Sequence, residues 1–250
     1  MDFDRQRLSL IGHEGFLYWN PVSADVLDEW SRDLPLDANS LVLDVGCGRA
    51  ELLVRLVAAF GCRGVGVDPN PYAIEIARAE AARRVPEDRI ELLQERFETD
   101  AVPQASQDLA ICLGSTQAFD GFESALWILR ERVRPGGLLL LGEGFWRREP
   151  AKEYLEFLGC GVGDLHSHLV NLRLAEESGL EVLRARETTE AEWSAYEDRY
   201  SQNLLNWTEE HPDDPDAPGF RAHIEGWRQA YLEWGRSTLG FGIYLLQRPE

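Results

Sequence analysis

The chain predicts an α/β fold built on a mostly parallel sheet. Three observations lead there. Between residues 41 and 142, short apolar strand segments alternate with helix-length amphipathic ones, the rhythm of βαβ crossovers. One junction, "LVLDVGCGRAELL" (41–53), turns from strand to helix through an acid and two glycines one residue apart. A second acid, Asp68, closes the next strand, "GVGVD" (64–68). In open parallel sheets ligands bind outside the carboxyl ends of the strands, where both acids fall.

The elements follow in order. "LVLDV" (41–45) is a continuous apolar run of the buried-strand type. "ELLVRLVAAFG" (51–61) sets Leu53, Leu56, Val57 and Phe60 on one helical face and ends on Gly61. After strand 64–68, "PYAIEIARAEAARR" (71–84) starts a helix with Pro71 in its first turn. "IELLQ" (90–94) and "DLAICLG" (108–114) are the third and fourth strands. "FESALWILRERV" (122–133) turns Phe122, Ala125, Leu126 and Leu129 inward, "RPGG" makes a turn, and "LLLLGEG" (138–144) is the fifth strand. Beyond it, 145–167 is mixed, 168–179 is helical, 180–188 is a strand, and 239–248 closes the chain as a strand. The segment 189–235 carries too many Trp and Tyr residues for a linker; it reads as helices on both sides of the loop "HPDDPDAPG" (211–219), an inserted helical cap packed on the core.

Composition narrows the function. A chain of 250 residues with 44% hydrophobic and 28% charged residues is that of a soluble, globular domain. The first sixteen residues have mixed charge and no long apolar core, which argues against a secretory signal, and no apolar run approaches the roughly 18 residues of a membrane span. The expectation is a cytoplasmic protein that does not engage a membrane. A net charge of −19, broken by short basic stretches such as "WRR" (146–148) and "ARR" (82–84), repels nucleic acid and favours a small-molecule partner. The four cysteines, Cys47, Cys62, Cys112 and Cys160, form no CxxC pair, so no metal site is expected and the thiols read as reduced.

The glycine turn carries the chemistry. Gly46 and Gly48 are expected to present main-chain N–H groups to a ligand at the start of a helix, with Asp44 beside them. A dinucleotide site would place a third glycine where Glu51 stands, and a carboxylate there opposes a phosphate. An acid beside the turn suits an ammonium group instead. Asp68, twenty residues after Gly48, is placed to accept both hydroxyls of a ribose. Together these residues fit a nucleoside that carries an amino acid, the composition of S-adenosylmethionine.

The stretches "VLDVGCGRAELL", "GVGVDPNPYAIEIARA", "DLAICLGSTQAF" and "LRERVRPGGLLLLGEGFW" resemble the ordered motifs of class I S-adenosylmethionine-dependent methyltransferases over roughly residues 40–145. Further stretches, "GEGFWRREP", "LHSHLVNL" and "GFGIYLL", resemble an uncharacterised bacterial branch that acts on small molecules. The resemblance implies a Rossmann-like, seven-stranded sheet with the last strand antiparallel, in a single domain over 1–250. Within it, 1–40 is an N-terminal helical or lid segment, 41–144 the cofactor-binding core, and 189–235 the cap inserted before the last strand. It implies S-adenosylmethionine as cofactor and S-adenosylhomocysteine as product.

Carried onto this chain, Gly46 and Gly48 approach the methionine part, with Cys47 between them as a small filler. Asp44 orients the loop and the ammonium. Asp68 holds the ribose, and Pro69 with Asn70 borders the adenine. The adenine stretch departs from the family pattern: Arg96 stands where Asp is common, while Phe97 offers a ring and an N–H. Leu113 and Gly114 face the cofactor. In "FLYWNP" (16–21), Tyr18 is the expected lid contact and Trp19 a substrate neighbour. Glu143, ending the fifth strand, is the candidate catalytic acid/base, with holding a substrate cation or bracing the scaffold as its other roles. His166 is the candidate base of "LHSHL", whose second histidine suits the cap of the following helix. Trp146 walls the substrate pocket. Two other classes stay open, an S-adenosylmethionine-binding protein without catalysis and an NAD-type oxidoreductase. Oligomeric state is not legible.

Overall fold

The structure, a computed structural model, describes residues 3–250; Met1 and Asp2 of the N-terminal segment lie outside it. Seven strands form one sheet: β1 (Leu41–Val45), β2 (Arg63–Val67), β3 (Ile90–Leu93), β4 (Gln107–Leu113), β5 (Val133–Trp146), β6 (Glu181–Glu187) and β7 (Leu239–Gln247). Their spatial order is β3-β2-β1-β4-β5-β7-β6. The first five run parallel, and β7 lies antiparallel between β5 and β6. The sheet is therefore Rossmann-like with its last strand antiparallel.

Side-chain alternation sorts the core onto two faces. Val42 of β1, Ile111 of β4 and Leu138 and Leu140 of β5 share a cluster with Leu53, Leu56 and Val57 of α3 (Glu51–Phe60). Leu43, Val45, Ala110, Cys112, Leu139 and Leu141 point the other way, onto Ala125, Leu126 and Leu129 of α5 (Phe122–Arg132). Helix α4 (Pro71–Arg84) joins the α3 face through Ile74 and Ala77. Its N-cap, Asn70, accepts the N–H groups of Tyr72 and Ala73. All four cysteines are free.

Strand β5 is longer than the apolar run 138–144. It begins at Val133, and its register against β4 shifts between Gln107 and Leu109, so the "RPGG" bend is absorbed as an irregularity at the strand's start. Past β5 come α6 (Lys152–Leu158) and α7 (His168–Glu177). Ser167 caps α7 by accepting the N–H of Val170, so neither histidine of "LHSHL" does so.

Helices α8 (Glu190–Glu210) and α9 (Ala217–Ala230) stand between β6 and β7. A capping box of Thr189 and Glu192 starts α8. Trp193 of α8 stacks on Phe241, which pairs with Gly144 near the end of β5. That contact holds the helical pair at the carboxyl ends of the parallel strands. At the N-terminus, α1 (Arg5–Gly12) packs against α8, where Leu8 and Ile11 meet Leu204, Phe220 and Ile224. Helix α2 (Ala24–Arg32) seats Leu27 and Trp30 on the α3 face. The 13–23 segment between α1 and α2 crosses the glycine turn. Among the described residues, no helix is long and apolar enough to cross a membrane.

Candidate functional site

The turn after β1 is tightly wound. Gly46 (φ +70°), Gly48 (φ +54°) and Ala50 (φ +54°) all adopt left-handed backbone within five residues. A Cβ on Gly46 would collide with the Ser115 side chain, so glycine is required there by contact as well as by conformation. The N–H groups of the turn point differently from the sequence expectation. Those of Gly46 and Cys47 donate to the Val67 carbonyl at 2.8 and 3.1 Å, and that of Gly48 donates to Asp68 Oδ2 at 2.9 Å. They extend the β1–β2 pairing past the strand and are not turned toward a ligand.

The turn instead positions two acids. Asp44 is 5% exposed, and burial together with the neighbouring charge of Asp68 pushes its carboxyl up to about 8. Asp68 is also raised by burial, against the N–H groups of Asn70 and Gly48 that its oxygens accept. Each Asp68 oxygen keeps lone-pair capacity for a further donor. Two carboxylates pushed upward at adjacent strand ends form a place that gains from a cation and from hydroxyl donors. Glu51, on the same wall, is already neutralised. Burial alone would raise it, but Arg84 and Arg55, bonded at 2.7 and 2.6 Å, hold it below the usual range.

Asp44, Gly46, Cys47, Gly48 and Leu113 line a narrow space of about 50 Å³, bordered by Tyr18 and Trp19. The two aromatics take different parts there. Tyr18 turns its hydroxyl away to donate to Asp28 at 2.7 Å, with Arg55 over its ring. Trp19 lies over the turn, 3.5 Å from where a Gly48 Cβ would be. It stacks on His13 at 4.7 Å. His13 Nδ1–H donates to Ser9 O at 2.8 Å, which leaves Nε2 to accept the Tyr196 hydroxyl at 2.7 Å. Burial pushes that imidazole down to about 4 and so keeps it neutral. Arg49 donates to Phe16 O at 2.8 Å, tying the crossing segment to the turn. Sequence reasoning passed over His13; its place three residues before Phe16, where the aromatic run begins, was the available signal.

The remaining candidates separate. Gly114 (φ +78°) ends β4 beside Leu113 and packs near Phe241. Pro69 and Arg96 are exposed, and Phe97 is half-buried with its ring against Phe119 at 5.3 Å. Cys47 packs under the turn against Gly66, and burial raises its thiol well above its ordinary value.

Glu143 and His166 do share a cavity, one of about 620 Å³ on the far side of the 113–116 turn. Glu143 accepts the Thr116 hydroxyl and the N–H of Gly144, and burial raises its carboxyl. Trp146 is not in that cavity. It is 7% exposed, donates Nε1–H to Val162 O at 3.0 Å, and packs on Tyr154 and Ala230. The reason is strand parity: three residues from Glu143, it faces the opposite side of the sheet.

Comparison with known proteins agrees with this fold. A profile of the methyltransferase domain matches residues 42–137. The uncharacterised protein YjhP of Escherichia coli is 27% identical over 249 residues, 97% of this chain and 98% of its own. The 27-O-demethylrifamycin SV methyltransferase of Amycolatopsis mediterranei is 27% identical across 95% of this chain and 90% of its own. A methyltransferase of Geobacter sulfurreducens, crystallised with S-adenosyl-L-homocysteine, superposes with a TM-score of 0.85 at 25% identity, covering 96% of this chain and 97% of its own. The chain carries a methyltransferase domain over residues 42–137, and its sheet order, motif order and these relatives support a class I S-adenosylmethionine-dependent methyltransferase.

Proposed function

We propose that the chain binds S-adenosylmethionine across the ends of β1 and β2 and methylates a small molecule at the carboxyl edge of the sheet. One observation carries the reading. Asp44 is a buried carboxylate raised by burial and by Asp68, with no hydrogen-bond donor on it among the described residues, at the strand end where the ligand's ammonium would lie. Asp68 takes the ribose hydroxyls, and Gly46, Gly48, Leu113 and Gly114 allow close approach. The bound sulfonium supplies a methyl group that leaves with its C–S electron pair remaining on sulfur. The protein's own part is positional: a placed acceptor, little water, and a group to take a proton where the acceptor carries one. Glu143 and His166, facing one cavity, are the groups within the fold for that last role.

A small acceptor is supported by the net charge of −19 and by the surplus of acids over Arg199, Arg221 and Arg228 in α8 and α9, which disfavour an anionic polymer. The rifamycin methyltransferase, by its name, modifies a small molecule. Calorimetry with S-adenosylhomocysteine and with NAD tests the reading. Heat with the first and none with the second, and a weaker first in Asp44→Asn, are expected. Binding of NAD alone overturns it and restores the oxidoreductase alternative.

A further inference from the structure

The narrow space at the glycine turn is walled by charges of both signs. Asp44 and Glu51 line it, and Arg49 is the one cation among its lining residues. Glu51 is spent on Arg55 and Arg84, and among the described residues no carboxylate lies within ion-pair distance of Arg49. The Arg49 side chain is half-buried, and its Nη1 donates to Phe16 O at 2.8 Å. That bond fixes the guanidinium between the turn and the segment crossing it. A guanidinium carries five N–H donors in a planar fork, so one bond leaves most of them unused. Nε is shut inside the protein without an acceptor, so Nη1 and Nη2 are the nitrogens a ligand meets. The main chain of the turn offers no substitute. The N–H groups of Gly46 and Cys47 go to Val67 O, that of Gly48 goes to Asp68, and that of Ala50 goes to Cys47 O. Tyr18 has given its hydroxyl to Asp28. A negative group placed beside Asp44 therefore finds a single positive partner on this wall.

We infer that Arg49 recognises the α-carboxylate of the cofactor's amino-acid end, opposite the ammonium taken by Asp44, and makes the site selective for adenosine thioethers that carry a whole amino acid. The inference rests on the cofactor reading above. An α-amino acid bears its two opposite charges on one carbon, and Asp44 and Arg49 bring the matching pair to one short turn. The planar fork suits a carboxylate, and hydrogen bonds between two ionised groups are the strong ones. A nucleoside with the ammonium alone meets Asp44 but also the uncompensated charge of Arg49. One with neither group gains from neither residue. Because the same guanidinium holds Phe16 O, the carboxylate is bound at the base of the segment that carries Trp19.

The test titrates the full-length protein by calorimetry with three ligands: S-adenosylhomocysteine, its decarboxylated counterpart and methylthioadenosine. Wild type is expected to bind the first about tenfold or more tightly than the second, with about 1.4 kcal/mol per tenfold. Arg49→Gln removes the charge and keeps a donor for Phe16 O. It should weaken S-adenosylhomocysteine by about tenfold or more and leave methylthioadenosine within about threefold. The decarboxylated ligand should hold its affinity or gain, since a repelling cation is gone. Arg49→Lys keeps the charge without the fork and should retain part of the preference. Thermal unfolding of each variant shows that it is folded. Equal losses for all three ligands in Arg49→Gln would make Arg49 a brace for the crossing segment and overturn the inference. Wild type that binds the first two ligands alike also overturns it, while the cofactor reading stands. Wild type that binds none of the three removes that reading and this inference with it.

Discussion

The indole of Trp19 lies so close over the glycine turn that a Cβ at Gly48 would come within 3.5 Å of its ring. His13 stacks behind that indole and joins it to Tyr196 of α8. The space beneath is about 50 Å³. Ligand pockets run to roughly 300–1,000 Å³, so a nucleoside enters only if the crossing segment shifts. S-adenosylhomocysteine should therefore change tryptophan emission in a stopped-flow titration. The Trp19→Phe variant should bind the ligand yet lose most of that change. Full retention of the signal would place the movement elsewhere.

Asp68 connects two motifs, accepting the Gly48 and Asn70 N–H groups. Asp68→Ala removes hydrogen bonds to a charged acceptor, about 1.5–3 kcal/mol each. Loss of two ribose bonds should weaken S-adenosylhomocysteine by roughly a hundredfold or more, since about 1.4 kcal/mol is tenfold. A dissociation constant unchanged in a folded variant would refute the ribose assignment. The melting temperature should fall too, because the turn loses two acceptors.

Asp44 ties ligand affinity to pH. Its folded value of about 8 stands above the ordinary 3.8, so the free protein holds a proton that the unfolded chain releases. Stability from this group is full below the unfolded value and is lost as pH rises through the folded one. Asp44→Asn removes that loss and should melt higher than wild type at pH 8, by about 2–4 °C per kcal/mol recovered. Ligand affinity runs the other way. An ammonium pairs with the ionised carboxylate, so wild-type affinity should climb as Asp44 ionises toward about pH 8, a rise absent from Asp44→Asn. Calorimetry across that range measures both slopes.

Gly46 is constrained twice, by a φ of +70° and by the Ser115 side chain, which occupies the place a Cβ would take. Gly46→Ala should destabilise the fold by about 2 kcal/mol or more, combining left-handed strain with the clash. Adding Ser115→Gly should recover the steric part and leave the conformational part, as urea unfolding of the single and double variants will show.

Glu143 accepts from Thr116 and Gly144 on the α5 side of the sheet, away from Asp44. Glu143→Gln should leave S-adenosylhomocysteine affinity within about threefold, a difference under about 1 kcal/mol. With an acceptor in hand, turnover should drop by at least about tenfold, a range typical of lost acid–base help. Equal losses of binding and turnover would make Glu143 part of the scaffold.

Much of this molecule follows from local rules. Strand and helix segments from 41 to 142 are periodic, and their turns carry glycine and capping residues at the required places, so each element is specified by its own neighbours. The two acids at the ends of β1 and β2 are legible for the same reason: strand ends place them. What lies at long range is not. The direction of the Gly46, Cys47 and Gly48 N–H groups depends on β2 arriving alongside, and Tyr18 needed Asp28 and Arg55 to draw its hydroxyl away. Trp146 resembled a pocket wall until strand parity turned it from Glu143. The His13–Trp19–Tyr196 cluster and the hydrogen bond from Asn171 to Tyr244 join residues far apart in the chain. Short-range periodicity therefore determined the individual strands, the helices and the acidic strand ends. Only tertiary packing decided which side chains face the cofactor space and which face the cavity beyond it, because those choices are made by contacts that no local pattern encodes.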